Sequence, residues 1–256
     1  MDPIFDFSGR SVIVTGGTKG IGAGIAERFL AAGADVTVCA RNPPDTPVGS
    51  DGSTARFISC DVREPDQVDG VVAAVVEATG RVDVLINNAG GAPPVPSAEA
   101  SARFDERILA LNLLAPIVFA RAVHGPMIAG GGGVVVNIAS VSGMRANPHG
   151  VAYGAAKAGL LNATETLAVE WAPAIRVVAI TAGLVLTDDA RAFYGDDASV
   201  AKVAATIPAG RLGEPGDIAD ACLFVASPAA SYISGANLVV HGGGERPAYL
   251  DATDAL

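Results

Sequence analysis

Short runs of β-branched and aliphatic residues alternate with longer small-residue stretches from one end of the chain to the other. Residues 11–15, 36–40, 56–60, 82–86, 134–139, 175–180 and 237–240 carry the strand pattern. Helical patterns fall between them, at about 22–32, 65–79, 102–127, 152–171 and 215–226. The strand runs are apolar at almost every position rather than at every second one, which predicts burial on both faces. Strand–helix alternation with such strands predicts an α/β fold: a doubly wound parallel sheet of about seven strands with helices on both faces. No linker-like break and no internal repeat interrupts the pattern, so residues 1–256 read as a single domain. The Pro-rich patches 42–53 and 91–97 read as loops inside it, and glycines 130–133 as the turn from a long helix into the next strand.

Composition sharpens this picture. Half the residues are apolar and only 17% are charged, against roughly 25% in average soluble proteins. That suits a large core and surface lost to neighbouring subunits. A net charge of −10 with no offsetting basic run argues against a general nucleic-acid or anionic-membrane partner. The start, Met1 to Asp6, is acidic where an export signal needs a basic one, which points to a cytoplasmic protein. The longest uncharged stretch, 221–244, is broken by Pro228 and Asn237 and is a poor membrane span. Cys39, Cys60 and Cys222 are odd in number and sit in apolar runs, as buried thiols in a reducing compartment do. Metal-ligand spacings such as C-x-x-C or H-E-x-x-H are absent, so no metal site is expected.

The first chemistry-bearing segment runs from Thr15 through Gly16, Gly17, Thr18, Lys19, Gly20 and Ile21 to Gly22. A strand enters a glycine-rich turn and a helix leaves it, the context in which backbone N–H groups and a helix dipole bind a dinucleotide pyrophosphate. The end of the second strand then selects the cofactor. An acid there would hold the 2′-hydroxyl of NAD. This chain has Ala40 and Arg41, and Asp35 lies a strand length away. Arg41, with Lys19 from the glycine turn, suits a 2′-phosphate, so NADP(H) is the expected cofactor.

Tyr153 and Lys157, four residues apart, fall on one helix face, and Ser140 lies thirteen positions upstream. A free phenol titrates near ~10. An ammonium about 4 Å away favours phenolate by up to ~4 kcal/mol at intermediate dielectric, enough to bring the phenol toward neutrality. The spacing therefore predicts an acid–base Tyr153 with a lowered pKa.

Taken together and in order, Thr15-Gly16-x-x-x-Gly20-Ile21-Gly22, Asp61-Val62, Asn87-Asn88-Ala89-Gly90, Asn112, Ser140 and Tyr153-x-x-x-Lys157 resemble the one-domain short-chain dehydrogenase/reductases over nearly the whole chain. The resemblance implies a Rossmann-type fold. It implies that Asp61 bonds the adenine amino group beside the Val62 backbone, and that Asn88, Ala89 and Gly90 line the ribose while Asn87 steadies neighbouring strands. Tyr153 is then the proton donor or acceptor, and Lys157 lowers its pKa and holds the nicotinamide ribose. Ser140 bonds the substrate oxygen, and Asn112 anchors a water leading to Lys157. Gly183 and Val185 lie beside the nicotinamide, with Thr187 at its carboxamide. Two positions depart from the family pattern: Ala182 stands where Pro is common, which loosens the loop, and His241 stands where Asp is common.

These expectations converge on an NADP(H)-dependent interconversion of a ketone or aldehyde with an alcohol. A catalytically silent dinucleotide sensor on the same fold is the alternative, and a pure binder has no use for an activated phenol. An epimerase or dehydratase would need a larger substrate domain. Residues 188–210 are expected to form a lid over an apolar substrate, with Phe193, Tyr194, Val141, Met144, Pro93, Pro94 and Val95 around it. Arg145 is expected to face solvent, and His149 to sit in the loop at the substrate mouth. Small residues all round the Tyr153 helix, and the apolar 102–127 helix, predict a homo-oligomer. A homotetramer is expected, and the resemblance implies that these two helices build its main dimer contact.

Overall fold

The computed structural model describes residues 5–247. Seven strands build one sheet: β1 (Ser11–Thr15), β2 (Asp35–Ala40), β5 (Arg56–Ser59), β6 (Val84–Asn87), β7 (Gly133–Ser140), β8 (Ile175–Ala182) and β9 (Asn237–Val240). Their order is β5-β2-β1-β6-β7-β8-β9 with every neighbour parallel. From β1 the chain builds outward through β2 to β5, then returns to β6 and builds the other way. The switch point between β1 and β6 opens a crevice at the strands' carboxyl ends, where ligands bind in such sheets.

Alternation along each strand feeds two cores. Val12 and Val14 pack with Ile25, Phe29 and Ile218 under α1 (Gly20–Ala31) and α8 (Pro215–Ala226). Ile13 faces the other way, with Phe119, Val123 and Met127 of α4 (Ala115–Ala129) and the valines of α2 (Pro65–Thr79). This two-sided burial is what the unbroken apolar strands required. Helix boundaries follow local chemistry. Pro65 and Pro215 start their helices, Gly80 closes α2 at φ 75°, and Glu214 and Asp217 form a capping box.

Three differences from the sequence pattern stand out. Strand β6 begins at Val84, two residues later than the apolar run, because Asp83 is drawn to Arg10 and Arg81 at the base of the sheet. The Pro-rich patch holds a small hairpin, β3 (Gly49–Ser50) with β4 (Ser53–Thr54), turning on Asp51 and Gly52 at positive φ. The long helix runs from Ala102 to Ala129 as α3 (Ala102–Leu109), a π-helical turn Ala110–Leu114, and α4. By length and composition this helix is apolar enough to cross a membrane, and it is also the helix that covers the centre of the sheet.

Two short helices, α6 (Asp188–Tyr194) and α7 (Asp197–Ala205), occupy the segment expected to be a lid. Neither buries a residue. The strand before them stays regular through Ala182, paired with Ser140 and Val240.

Candidate active site

The turn after β1 is fixed by its neighbours. Gly16 sits at φ 63°, and a Cβ there would lie 2.9 Å from the Ala89 Cα, so only glycine suits the position. Its N–H donates to the Cys39 carbonyl at 2.7 Å. Thr15 Oγ1 accepts from the N–H groups of Asn88 and Ala89, both at 3.0 Å. The Asn88 amide donates to the Thr15 and Gly16 carbonyls at 2.9 and 3.1 Å. Asn88 is thus a brace for the glycine turn as well as a candidate ribose contact. Beyond half-buried Thr18, helix α1 begins without a side-chain cap and without an acid in its first turn. Its leading N–H groups, those of Gly20, Ile21 and Gly22, and its positive dipole end suit a pyrophosphate.

The cations of this end are arranged differently from expectation. Arg41 is exposed at the end of β2, where the sequence placed it. Lys19 Nζ lies 2.6 Å from Asp189 Oδ2 at the start of α6, both side chains exposed, so its charge is shared rather than held for a phosphate alone. Asp61, beside buried Val62, carries a partner that the sequence pattern did not reveal. Arg63 donates from Nε to Oδ1 at 2.9 Å and from Nη2 to Oδ2. This fork holds the Asp61 carboxyl below its ordinary range, with a smaller contribution from Arg41. The Asp61 N–H donates to Gln67 Oε1 at 2.8 Å. A cation two residues after a strand-end Asp is the signal that could have revealed the fork.

Four side chains converge at the centre of the crevice. Ser140 ends β7, and Tyr153 and Lys157 lie one turn apart on α5 (Val151–Glu170). Asn112 reaches in from the π-helical turn, fully buried. Its Oδ1 accepts from Gly91 N–H at 2.8 Å, and its Nδ2 donates to the carbonyls of Gly91 and Ile108, both at 3.0 Å. The wide turn disturbs the ordinary helical ladder, and the amide takes up the Ile108 carbonyl, four residues back. Gly90 is where the set meets: a Cβ there would lie 2.7 Å from Asn112 Oδ1 and 3.4 Å from Lys157 Nζ. Beneath them, Asn87 donates to Asn137 Oδ1 and the Pro116 carbonyl, and Asn137 donates to Thr164. Strands β6 and β7 are thereby tied to α4 and α5.

The charge state of this set corrects the sequence expectation. Lys157 Nζ is buried and donates to the Ile138 carbonyl at 2.7 Å, and lies 5.8 Å from the centroid of the Tyr153 ring. Burial lowers the lysine to about 8. Burial also raises the Tyr153 phenol above its ordinary value, and the Ser140 hydroxyl beside it pulls the other way. Desolvation outweighs any help from the ammonium here, so the phenol is raised rather than lowered.

After β8, Gly183 packs under His241, whose Cβ lies 2.6 Å from where a glycine Cβ would be. Buried Val185 bridges to Gly213. Thr187 caps α6 by accepting from Ala190 N–H at 3.2 Å. A cavity of about 70 Å³ adjoins Tyr153, walled by Pro93, Val95, Phe104, Ile108 and Val151, with Asp105 and His149 among its polar groups. His149 has φ 64°, and its carbonyl accepts from Val95 N–H at 2.8 Å. Other expected wall residues lie elsewhere. Met144 and Phe193 are largely exposed, and half-buried Tyr194 meets Phe193 edge to face, ring centroids 5.4 Å apart. Arg145 does not face solvent alone; it pairs with Glu245 at 2.5 Å.

A β1 glycine turn opening onto an uncapped helix, and a Ser–Tyr–Lys–Asn cluster at the switch point, define a nicotinamide-dinucleotide oxidoreductase. A family model described as Enoyl-(Acyl carrier protein) reductase matches residues 16–245. D-threitol dehydrogenase of Mycolicibacterium smegmatis is 36% identical over 248 residues, covering 93% of this chain and 95% of that one. NAD-dependent glycerol dehydrogenase of Listeria innocua is 34% identical, covering 94% and 96%. The crystal structure of a single-substitution variant of actinorhodin polyketide ketoreductase with NADPH superposes with a TM-score of 0.84 at 32% identity, covering 91% and 96%. The chain belongs to the short-chain dehydrogenase/reductase family and is an oxidoreductase of alcohols and carbonyls.

Proposed function

We propose that the protein is an NADP(H)-dependent enzyme, built as one domain, that interconverts a ketone or aldehyde with an alcohol, Tyr153 serving as the general acid or base. The observation that carries this reading is the meeting of Asn112, Ser140, Tyr153 and Lys157 at the carboxyl end of the sheet. The bound dinucleotide supplies or accepts the hydride. Gly16, Thr18, Gly20, Ile21 and Gly22 hold its pyrophosphate, with Lys19 and Arg41 at the 2′-phosphate. Asp61 and Val62 take the adenine, Asn88, Ala89 and Gly90 the ribose, and Gly183, Val185 and Thr187 the nicotinamide end. Ser140 orients the substrate oxygen, and Tyr153 gives it a proton in the reductive direction. Lys157 holds the nicotinamide ribose, and Asn112 supports the path by which the proton is replaced.

The cavity beside Tyr153 favours an aliphatic or alicyclic carbonyl. The pairing of Arg145 with Glu245 removes the nearest candidate for a carboxylate-binding cation. Relatives are named for polar polyols and for polyketide reduction, so the apolar preference rests on the cavity alone. Exposed Leu114, Ile128 and Val169 lie on the long helix and α5, and an oligomer, read here as a homotetramer in the cytoplasm, would cover them. Purified protein mixed with NADPH, then NADH, and a panel of hydrophobic ketones, polyol-derived ketones and keto acids tests the reading. NADPH oxidation with hydrophobic ketones, much reduced by Arg41→Ala, is the expected result. No turnover with any carbonyl would favour the silent sensor.

A further inference from the structure

The Arg63 fork on Asp61 has no part in the roles assigned so far. Arg63 sits in the three-residue step between Asp61 and the start of α2, its side chain about one-third exposed. Its backbone N–H also bonds Asp61 Oδ1, at 3.1 Å, so the fork is held by a local turn rather than by a flexible reach. Both carboxylate oxygens are engaged by one planar guanidinium, the geometry that lysine cannot supply. Arg41, just past the end of neighbouring β2, is near enough to act on the same carboxylate. Exposed Glu64 exerts a weaker pull on Arg63 from the start of α2.

The cofactor's adenosine end lies between Arg41 and Asp61 on the proposed reading, and a 2′-phosphate there would feel both. An unpaired Asp61 would repel it. Two unit charges several ångströms apart at intermediate dielectric interact strongly enough to cancel much of a single arginine contact. We propose that Arg63 is a specificity-determining positioning residue: by neutralising Asp61 it lets a strand-end acid coexist with a 2′-phosphorylated cofactor. The inference rests on the NADP(H) reading. It adds that the preference depends on a residue outside the glycine turn and the second strand.

Adenosine 2′,5′-bisphosphate and adenosine 5′-monophosphate isolate this end of the cofactor and need no turnover. Calorimetric titration of each into wild type and Arg63→Ala gives the affinity ratio between them. The ratio should fall about tenfold in Arg63→Ala. It should recover when Asp61→Asn is added, because the repelling charge is then gone. Should Arg63→Ala fold poorly, Arg63→Gln removes the charge while keeping a donor for Asp61, and the same ratio is read. Equal weakening of both ligands, or no recovery in the double variant, would overturn the inference and leave Arg63 a structural brace. A wild type that binds the monophosphate more tightly than the bisphosphate would refute the NADP(H) reading instead. The change in ratio on removing Arg63 would still be measured independently.

Discussion

Lys157 donates from Nζ to the carbonyl of Ile138 at 2.7 Å, two residues before Ser140 on the same strand. The bond gives a buried cation one neutral acceptor in place of water, and burial lowers its pKa from 10.5 to about 8. Folding therefore disfavours the charged amine. Between about 8 and 10.5 the unfolded chain binds more protons at this group, so its contribution to stability rises with pH through that window. Below it the penalty is constant, at up to about 3 kcal/mol.

Lys157→Met removes that penalty along with the Ile138 bond. Relative to wild type, the variant should be at its most stable near neutral pH and lose that advantage as pH climbs toward 10.5. Urea denaturation of both proteins across this range measures the difference directly. A difference that does not change with pH would show that the amine is not perturbed by burial.

Tyr153→Phe keeps the ring and removes the proton. Equilibrium binding of NADPH should change little, while kcat should fall by about 10²- to 10⁴-fold, the usual worth of a positioned acid or base. Retention of a tenth of wild-type kcat would refute the proposed role.

Gly90→Ala places a methyl 2.7 Å from Asn112 Oδ1 and 3.4 Å from Lys157 Nζ. The first contact is a clash and the second is ordinary packing, so Asn112 must shift, although three hydrogen bonds pin it. Overpacking of this kind costs about 1–3 kcal/mol, and the expected outcome is a lower melting temperature together with much reduced turnover. A fully active, equally stable variant would mean that the convergence at Gly90 carries no functional weight.

Thr37, in β2, holds the one buried side-chain oxygen without a hydrogen-bond partner among the described residues. Thr37→Val replaces that hydroxyl with a methyl of similar size. The variant should gain about 1 kcal/mol, or roughly 2–4 °C in melting temperature for a chain of this size. Calorimetry of the two proteins decides it; a loss of stability would point to a water bound at Thr37.

The inner sheet was legible because β1, β6, β7 and β8 are buried on both faces and advertise that in apolar runs; the edge strands β5 and β9, only partly buried, show the pattern more weakly. Strand ends were less so, since pairing partners fix them; Val82 looks like strand and lies just before it. At the site, residue types and spacings announced Tyr153, Lys157, Ser140 and Asn112. Directions did not follow from spacing. Tyr153 and Lys157 share a helix face as expected, yet the ammonium bonds Ile138 and the phenol is raised by burial. Contacts between distant segments were out of reach, as with Arg145 and Glu245, or Lys19 and Asp189, which no local pattern connects. The fork of Arg63 on Asp61 is the intermediate case, local enough to suspect and specific enough to need coordinates.

The π-helical turn at Ala110–Leu114 acts as one residue inserted into an otherwise α-helical rod. Each helical residue advances about 100° around the axis, so the two halves of Ala102–Ala129 are out of phase by roughly that angle. A single apolar stripe cannot serve both halves: α3 lends Phe104 and Ile108 to the cavity beside Tyr153, and α4 turns Phe119, Val123 and Met127 onto the sheet. The rod is a crankshaft rather than a beam, and Asn112 sits on the crank. Deleting one residue from the turn would bring the halves back into step and swing Asn112 out of the crevice.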